Sequence, residues 1–368
     1  MDSYDVEVGS FSSRSGRILW DTAGFQFLAV SLTSGIVLAE FPNLQMSKLS
    51  YRFEETTSET ATLPWRDIPS NWVEATIPYG TAIVLVRGST ALWGGIVVKR
   101  ERTLQGEGLS LTLATVEHYF DSVYVKDHVY SNRDQCEIVE DLVSTTLKGH
   151  RFMLSVEASP SGIRRDRTYK ESSDKTLLSV LQELSSVQNG PEWCTAWRVD
   201  DGRYVPVLTV ADSIGSMTPV TTFDESVMTS FKVLEDYTAG YGANMVVAVG
   251  STTGEDSLRS DVMVTDQSYR PVVEHVVRPS SSITQKETLD AHAMSSLRQL
   301  QDGTNTVDMT LGLMVAPVVY EEWKPGDVVA WDIADDSGRF AGFDHGKARV
   351  VGYDIDFSGV WTITPVLQ

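Results

Sequence analysis

Residues 79–116 read YGTAIVLVRG, then STALWGGIVVKRERT, then LQGEGLSLTLATV. These are three apolar runs rich in β-branched residues, joined by glycine-bearing breaks, which is the pattern of an antiparallel meander. The end of the chain echoes it with WKPGDVVAWDI from Trp323, KARVVGYDIDF from Lys347 and SGVWTITPVLQ from Ser358. In both places a glycine (Gly80, Gly326) precedes a short apolar strand. A Val-Val strand that turns charged follows (Val97-Val98 into Lys99–Arg102; Val350-Val351 into Asp354). A glycine turn and a Thr-bearing strand close each unit (Leu111–Thr115; Trp361–Thr364). One reading is a small β unit present twice; the other, left open by the low residue identity, is two unrelated meanders.

Working outward, residues 1–130 read as almost all β. RILWD from Arg17, FQFLAV and GIVLAEF are short apolar runs between Gly or Ser, and SKLSYRFEETTSETATLPW begins as a strand and becomes a polar Thr/Glu-rich loop, an exposed hairpin tip in preference to a partner-binding arm. The pattern changes at 131. Ser131 to Asp134 fits a capping box, with Cys136, Val139, Leu142 and Val143 at helical spacing and Gly149 as a stop. A second helix is predicted from near Asp174, with Leu177, Leu178, Leu181, Leu184 and Val187 on one face and Asn189-Gly190-Pro191 at its end. Between them HRFMLSVEASPSGIRRDRTYK predicts a strand and a basic loop. EWCTAWRVDDGRYVPVLTVAD predicts a hairpin turning at Asp201-Gly202. From 226 the β character returns, broken by a helix at about 284–300 with Thr284 and Glu287 as a capping box. DMTLGLMVAPVVY reads as a strand pair. The expected fold class is mainly β with an α/β insertion. Two small β-barrel-like domains, 1–130 and 226–368, flank an α/β module at 131–225. At roughly 100–200 residues per domain, two to four domains suit this length.

The chain carries 50 acidic and 30 basic residues, a net charge of −20, and is 42% hydrophobic. That composition supports buried cores and disfavours sequence-specific or free nucleic-acid binding, which needs clustered Lys and Arg. No apolar run reaches the ~20 residues of a membrane span. The N-terminus lacks the basic and apolar regions of a signal peptide, so a soluble chain made in the cytoplasm is expected. Cys136 and Cys194 read as buried free thiols on a helix and a strand.

Motifs that resemble chemistry fail on context. Asp21-Thr22-Ala23-Gly24 has an extra Ala23 and no second copy to share a proton. Gly342–Lys347 is one residue short of a phosphate loop and lies between predicted strands. His118, His128, His150, His275, His292 and His345 have no metal-ligand spacing. Glu117–Asp121 reads as an amphipathic turn packed by Tyr119 and Phe120. No catalytic, cofactor-binding or metal-ligating residue is assigned, and no enzyme activity is expected.

A resemblance adds to this. The two end units, the insertion starting just after HYFDSVYVKD (from His118), and the terminal W-x-P-G-D-x-V, RVVGYDID and TITPVL resemble the baseplate-hub, or tail-hub, proteins of tailed bacteriophages. The segments RILWDTAGFQFLAVSLTSGIVLAEFPNLQMSKLSYRF and TALWGGIVVKRERT are similar to minor tail proteins of siphoviruses infecting actinobacteria. The resemblance implies a virion structural protein at the tail tip, active in host-cell attachment and DNA ejection. It implies a homotrimer whose two barrels per subunit make a pseudo-sixfold ring, with the distal tail protein, the tape measure protein and tip or receptor-binding proteins as partners. Some relatives carry a downstream peptidase or lysin domain; with TPVLQ as the last residues, none is expected. Two alternatives from other classes remain: a carbohydrate-binding β protein using Trp65, Trp72 and Trp93, and a cell-wall hydrolase with an unrecognised site. The hub reading further predicts a lumen lined by carboxylates such as Glu54-Glu55, Asp200-Asp201, Glu321-Glu322 and Asp335-Asp336. Arg164, Arg165 and Arg167 would then face outward or be paired.

Overall fold

The computed structural model describes residues 24–238, 241–253, 256–266, 269–279 and 283–368. The RILWD run and the Asp21-Thr22-Ala23 stretch lie outside them. The fold is mainly β, with a curled half-barrel sheet. The described residues fall into two compact units. One comprises those up to Thr229 together with Thr310–Ala334 and His345–Gln368; the other comprises Ser230–Met309 and Asp335–Asp344.

The first unit opens with β1 (Phe25–Ser31), β2 (Val37–Glu40), β3 (Gln45–Met46), β4 (Lys48–Arg52), β5 (Ser58–Pro64), the short α1 (Trp72–Ala75), β6 (Thr81–Arg87), β7 (Thr90–Glu101) and β8 (Gly108–Ala114). They form a seven-stranded sheet in the order β2-β1-β6-β7-β8-β5-β3, with β4 leaving it. The meander is thus found, and β6 together with the first two-thirds of β7 is buried along its length because both faces are covered. Gly94 and Gly95 make this possible: a Cβ on Gly94 would sit 2.3 Å from the Trp197 ring, and one on Gly95 2.4 Å from Trp93. The Thr/Glu-rich loop is a correction. Ser58–Pro64 is a strand paired along its full length with β8, because Ala61 and Leu63 point inward between outward threonines.

The insertion contains α2 (Glu117–Phe120), β9 (His128–Asp134), α3 (Gln135–Thr146), β10 (Ser155–Ala158), β11 (Arg164–Tyr169), α4 (Leu177–Ser185), β12 (Glu192–Asp200) and β13 (Arg203–Ala211). β10, β13 and β12 make one small sheet, and β11 pairs with β9. The basic stretch expected as a loop is therefore a strand. The first capping box is also corrected. Ser131 lies in β9, and Asp134 is itself the N-cap of α3, accepting the Cys136 N–H at 2.9 Å and the Gly162 N–H at 2.7 Å. Burial opposes the charge on Asp134, but these N–H donors and Ser161 outweigh it and hold the carboxyl below its usual range. α4 starts at Leu177 with Thr176 as its cap, and Leu177, Leu178, Leu181 and Leu184 are buried as expected. Asp201 and Gly202 both take positive φ (47° and 73°), which is the hairpin turn read from the sequence. The leucines do not build a core of their own. Ile138, Leu142, Leu181, Trp193 and Trp197 share one apolar cluster with Leu28, Val30, Val84 and Ile96 of the first sheet.

The second sheet uses β14 (Thr222–Asp224) and β15 (Met228–Asp236). The second unit begins within β15, at Ser230, and contains β16 (Met245–Thr253), β17 (Asp256–Arg259), β18 (Met263–Val264), β19 (Glu274–Val277) and α5 (Lys286–Leu300). The chain then returns to the second sheet with β20 (Thr304–Gly312), β21 (Val328–Asp332), β22 (His345–Asp356) and β23 (Thr362–Leu367), in the order β14-β21-β22-β23-β20-β15. In the second unit, Leu289, Ala293 and Leu297 of α5 cover Val246 and Ala248 of β16. The Thr284 box is not formed: α5 begins after Gln285, which makes no side-chain cap bond. The predicted strand pair in 308–320 is one strand, β20, ending at Gly312; the residues after it are turns.

The two end units share one topology. β6-β7-β8-β5-β3 and β21-β22-β23-β20-β15 have the same chain order and the same spatial order. Laying Gly80 on Gly326 and Val97 on Val350 keeps the register: Ala82 faces Ile96 as Val328 faces Arg349, and Val97 faces Leu113 as Val350 faces Leu367. Each long strand has 12 residues and a bulge at its second valine, Val98 or Val351. Chance meanders have no reason to share a bulge at one position.

Candidate functional site

Sequence reading assigned no active site, so the candidate site is the place where the two repeats join. β4 continues β3 out of the first sheet and pairs antiparallel with the second half of β22, Gly352 facing Arg52 through Asp356 facing Lys48. Arg52 and Lys48 reach Asp354 at 2.9 and 3.1 Å. Their charges, with hydrogen bonds from Ser50, outweigh burial and hold the Asp354 carboxyl below its usual range. Behind this pair lies a buried aromatic group. The Tyr51 and Tyr353 rings are 5.7 Å apart, with Tyr320 and Trp323 each 6.2 Å from Tyr353. Tyr353 donates its hydroxyl to the Leu92 carbonyl, Trp93 Nε1 donates to the Ser50 carbonyl at 2.9 Å, and Tyr51 Oη accepts the Thr195 N–H at 3.0 Å. The insertion thereby ties into both repeats. Burial pushes the Tyr51 and Tyr320 hydroxyls up, so both stay neutral.

Glu117 lies in this junction, fully buried, accepting the Thr195 hydroxyl with one oxygen, while Oε2 has no partner among the described residues. Burial raises its pKa. A void of about 10 Å³ lies nearby, lined by Tyr51, Thr115, Thr195 and Tyr353 among others.

A larger cleft of about 780 Å³ lies beside β4, with Glu54, Pro191, Glu192 and Arg349 on its walls. Arg349 is clamped bidentately by Glu192 at 2.6 and 2.5 Å and donates to the Gly326 carbonyl at 3.0 Å. Arg349 and Glu192 thus spend their charges on each other.

The remaining motifs separate. His118 meets the Tyr79 hydroxyl at 2.9 Å, and His128 meets Lys126 O and Thr145 Oγ1, each at 3.0 Å. Among the described residues, no three His, Cys, Asp or Glu side chains are grouped as metal ligands. Gly342–Lys347 runs into β22, with no helix to receive a phosphate. Of the three tryptophans considered for sugar stacking, Trp93 is buried. Trp65 and Trp72 stand edge to face at 5.6 Å, with Arg102 and Arg100 over the Trp72 ring at 5.5 and 6.0 Å. That leaves no flat open platform. Among the described residues, no helix is long and apolar enough to cross a membrane.

Five strands repeated in one order, bridged by a strand lent from one repeat to the other, can be compared with known folds. A tail protein from Neisseria meningitidis MC58 matches with a TM-score of 0.53 at 13% identity, over 94% of this chain and 96% of that one. The 43 kDa tail protein of prophage MuSo2 from Shewanella oneidensis matches with a TM-score of 0.53 at 9% identity, over 93% and 98%. The fold is baseplate-hub-like. The chain is also similar to the Francisella PdpA–VgrG complex, lidded form, with a TM-score of 0.52 at 11% identity, over 93% of this chain and 52% of that one. No family model matches the chain, and no curated protein matches it in sequence.

Sequence reading missed Tyr51, Glu117 as a buried group, Thr195, Tyr353 and the Arg349–Glu192 pair. Nothing local marks them, since their partners lie tens to hundreds of residues away.

Proposed function

We propose that this chain is a structural tail-hub protein of a tailed bacteriophage, without enzymatic activity. In this reading three copies ring the distal end of the tail tube, joining the tube and distal tail protein to the tip, with the tape measure and receptor-binding proteins as further partners. The observation that carries it is the doubled sheet. Two copies of one five-strand unit per chain let three chains present six similar modules, and rotation closes a heterologous contact into a ring. Residues 1–130 and 226–368 would supply the two hub domains, with 131–225 as the insertion between them. The tail-protein folds found above support the assignment to a virion tail tip. The excess of carboxylates fits a wall that does not bind leaving DNA, since duplex DNA carries one charge per ~1.7 Å. Imaging the assembled particle tests the reading: three copies around the axis at the tail tip are expected, and a location elsewhere in the virion, or none, would refute it.

A further inference from the structure

The repeat leaves one edge open where its twin is covered. On β22, β21 pairs with the first half and β4 with Gly352–Asp356 along the same side. On β7, β6 pairs with Thr90–Ile96, and no described strand continues along that side past Val97. The uncovered positions, found by laying Val97 on Val350, are Lys99, Arg100, Glu101, Arg102 and Thr103.

The same superposition names the strand that would fit there. Leu63 faces Leu109 as Leu311 faces Ile363, so Thr62 corresponds to Thr310. Gln45 faces Thr62. The Val227 carbonyl accepts the Gly312 N–H at 2.8 Å, which puts Thr229 across from Thr310. Gln45 therefore corresponds to Thr229, and Lys48–Arg52 of β4 to Lys232–Asp236 of β15. β15 is the last strand of its sheet, and its outer edge has no partner strand among the described residues. An uncapped edge of this length is a pairing site.

We propose that Lys232–Asp236 of one copy pairs antiparallel with Lys99–Thr103 of a second copy, as β4 pairs with β22 within the chain. The contact rests on the trimer reading above and names its seam. The charges support it. Within the chain a basic strand (Lys48, Arg52) meets an acidic one (Asp354, Asp356). At the open edges the signs are exchanged. The transferred register sets Lys99 against Asp236 and Arg100 against Glu235, and opposite charges directly across a ladder stabilise it. Lys99 is exposed and pairs with Glu101 at 2.7 Å, and Glu235 is exposed. Asp236 also accepts the Thr238 N–H, and Arg100 also donates to the Val73 carbonyl at 2.8 Å. The main-chain edges supply affinity, and the exchanged charges keep each strand from the wrong partner.

The test uses the full-length chain. Lys99→Glu with Arg100→Glu is expected to weaken association at least about tenfold. Adding Glu235→Lys and Asp236→Lys in the same chain restores it, while circular dichroism stays unchanged throughout. In parallel, Glu101→Cys with Leu234→Cys, which face each other in the transferred register, joins chains through a short bis-maleimide, and neither single variant does. A wild-type chain that stays monomeric overturns the trimer reading and this seam with it. A wild-type trimer that ignores the charge reversal and gives no cross-linked chains overturns the seam alone.

Discussion

β7 and β22 have the same length, an equivalent partner along the first half (β6 or β21), an equivalent partner along the second (β8 or β23) and the same bulge, yet their second halves live in different surroundings. Beyond Val98, β7 runs out as Lys99, Arg100 and Glu101, exposed or half-exposed. Beyond Val351, β22 runs into the molecule, with Tyr353 and Ile355 fully buried. The difference is what lies along the side opposite β23 or β8: β22 has β4 there, and β7 has no strand there among the described residues. Topology is therefore set by the shared first half and the bulge, whereas burial is set by which edge is occupied. A duplicated unit can keep its fold while its sequence diverges wherever one copy meets its sibling and the other does not.

Matched positions break or sharpen this comparison. Tyr353 and Arg100 are equivalent. Tyr353→Ala empties a site ringed by Tyr51, Tyr320 and Trp323 and is expected to cost about 3–5 kcal/mol. Arg100→Ala, at an edge, is expected to stay within about 1 kcal/mol in the isolated chain. Denaturant unfolding followed by tryptophan fluorescence checks both, and equal losses would show that the two halves are not differently buried. One residue out of the matched register, which sets Gly80 on Gly326, two residues that lead into the first strands come next. Tyr79 and Gly326 both take positive φ (56° and 100°) and donate their N–H groups to the carbonyls of Val97 and Val350, respectively. A Cβ on Gly326 would meet the Ile214 carbonyl oxygen at 2.6 Å. Gly326→Ala is expected to cost about 2–3 kcal/mol. Tyr79→Gly relieves a milder strain but loses the His118 contact, so a change within about 1 kcal/mol is expected.

The smallest effects are those of pH, and they have opposite signs at two carboxyls of one junction. Asp354 is held below its ordinary 3.8, so its contribution is present above that value and lost as the pH falls through the lowered one. Asp354→Asn should be less stable than wild type at pH 7, by an amount that shrinks in acid. Glu117 is raised above its ordinary 4.5, so stability is complete below that value and declines as the pH rises through the raised one. Glu117→Gln should match wild type near pH 4.5 and melt higher at pH 8. Thermal melts across pH 3–8 read both, and parallel curves for the two variants would contradict the assignment.

The meander and its echo were legible because apolar runs of strand length, Val-Val pairs and glycine breaks are local signals. So were the leucine face of α4 and the Asp201-Gly202 turn. β5 was not, because its threonines and glutamate suggest a loop until Ala61 and Leu63 are seen to alternate. The start of α3 shifted because Asp134, read as the carboxylate three residues after a Ser131 cap, is the cap itself and gathers donors from Ser161 and Gly162 across a loop. The junction was illegible altogether. β4 meets β22 some 300 residues away, and no composition or period in either strand announces the other. Glu117 drew notice only as part of a run, and its burial depends on Thr195 in the insertion.

The central claim is that the doubled sheet exists to build a trimer. Native mass spectrometry or light scattering of the purified chain, across concentration and salt, tests this most directly. A species of three times the 40.6 kDa chain, weakening as salt rises, is the expected result. A monomer at every concentration, or a twofold dimer, would contradict it.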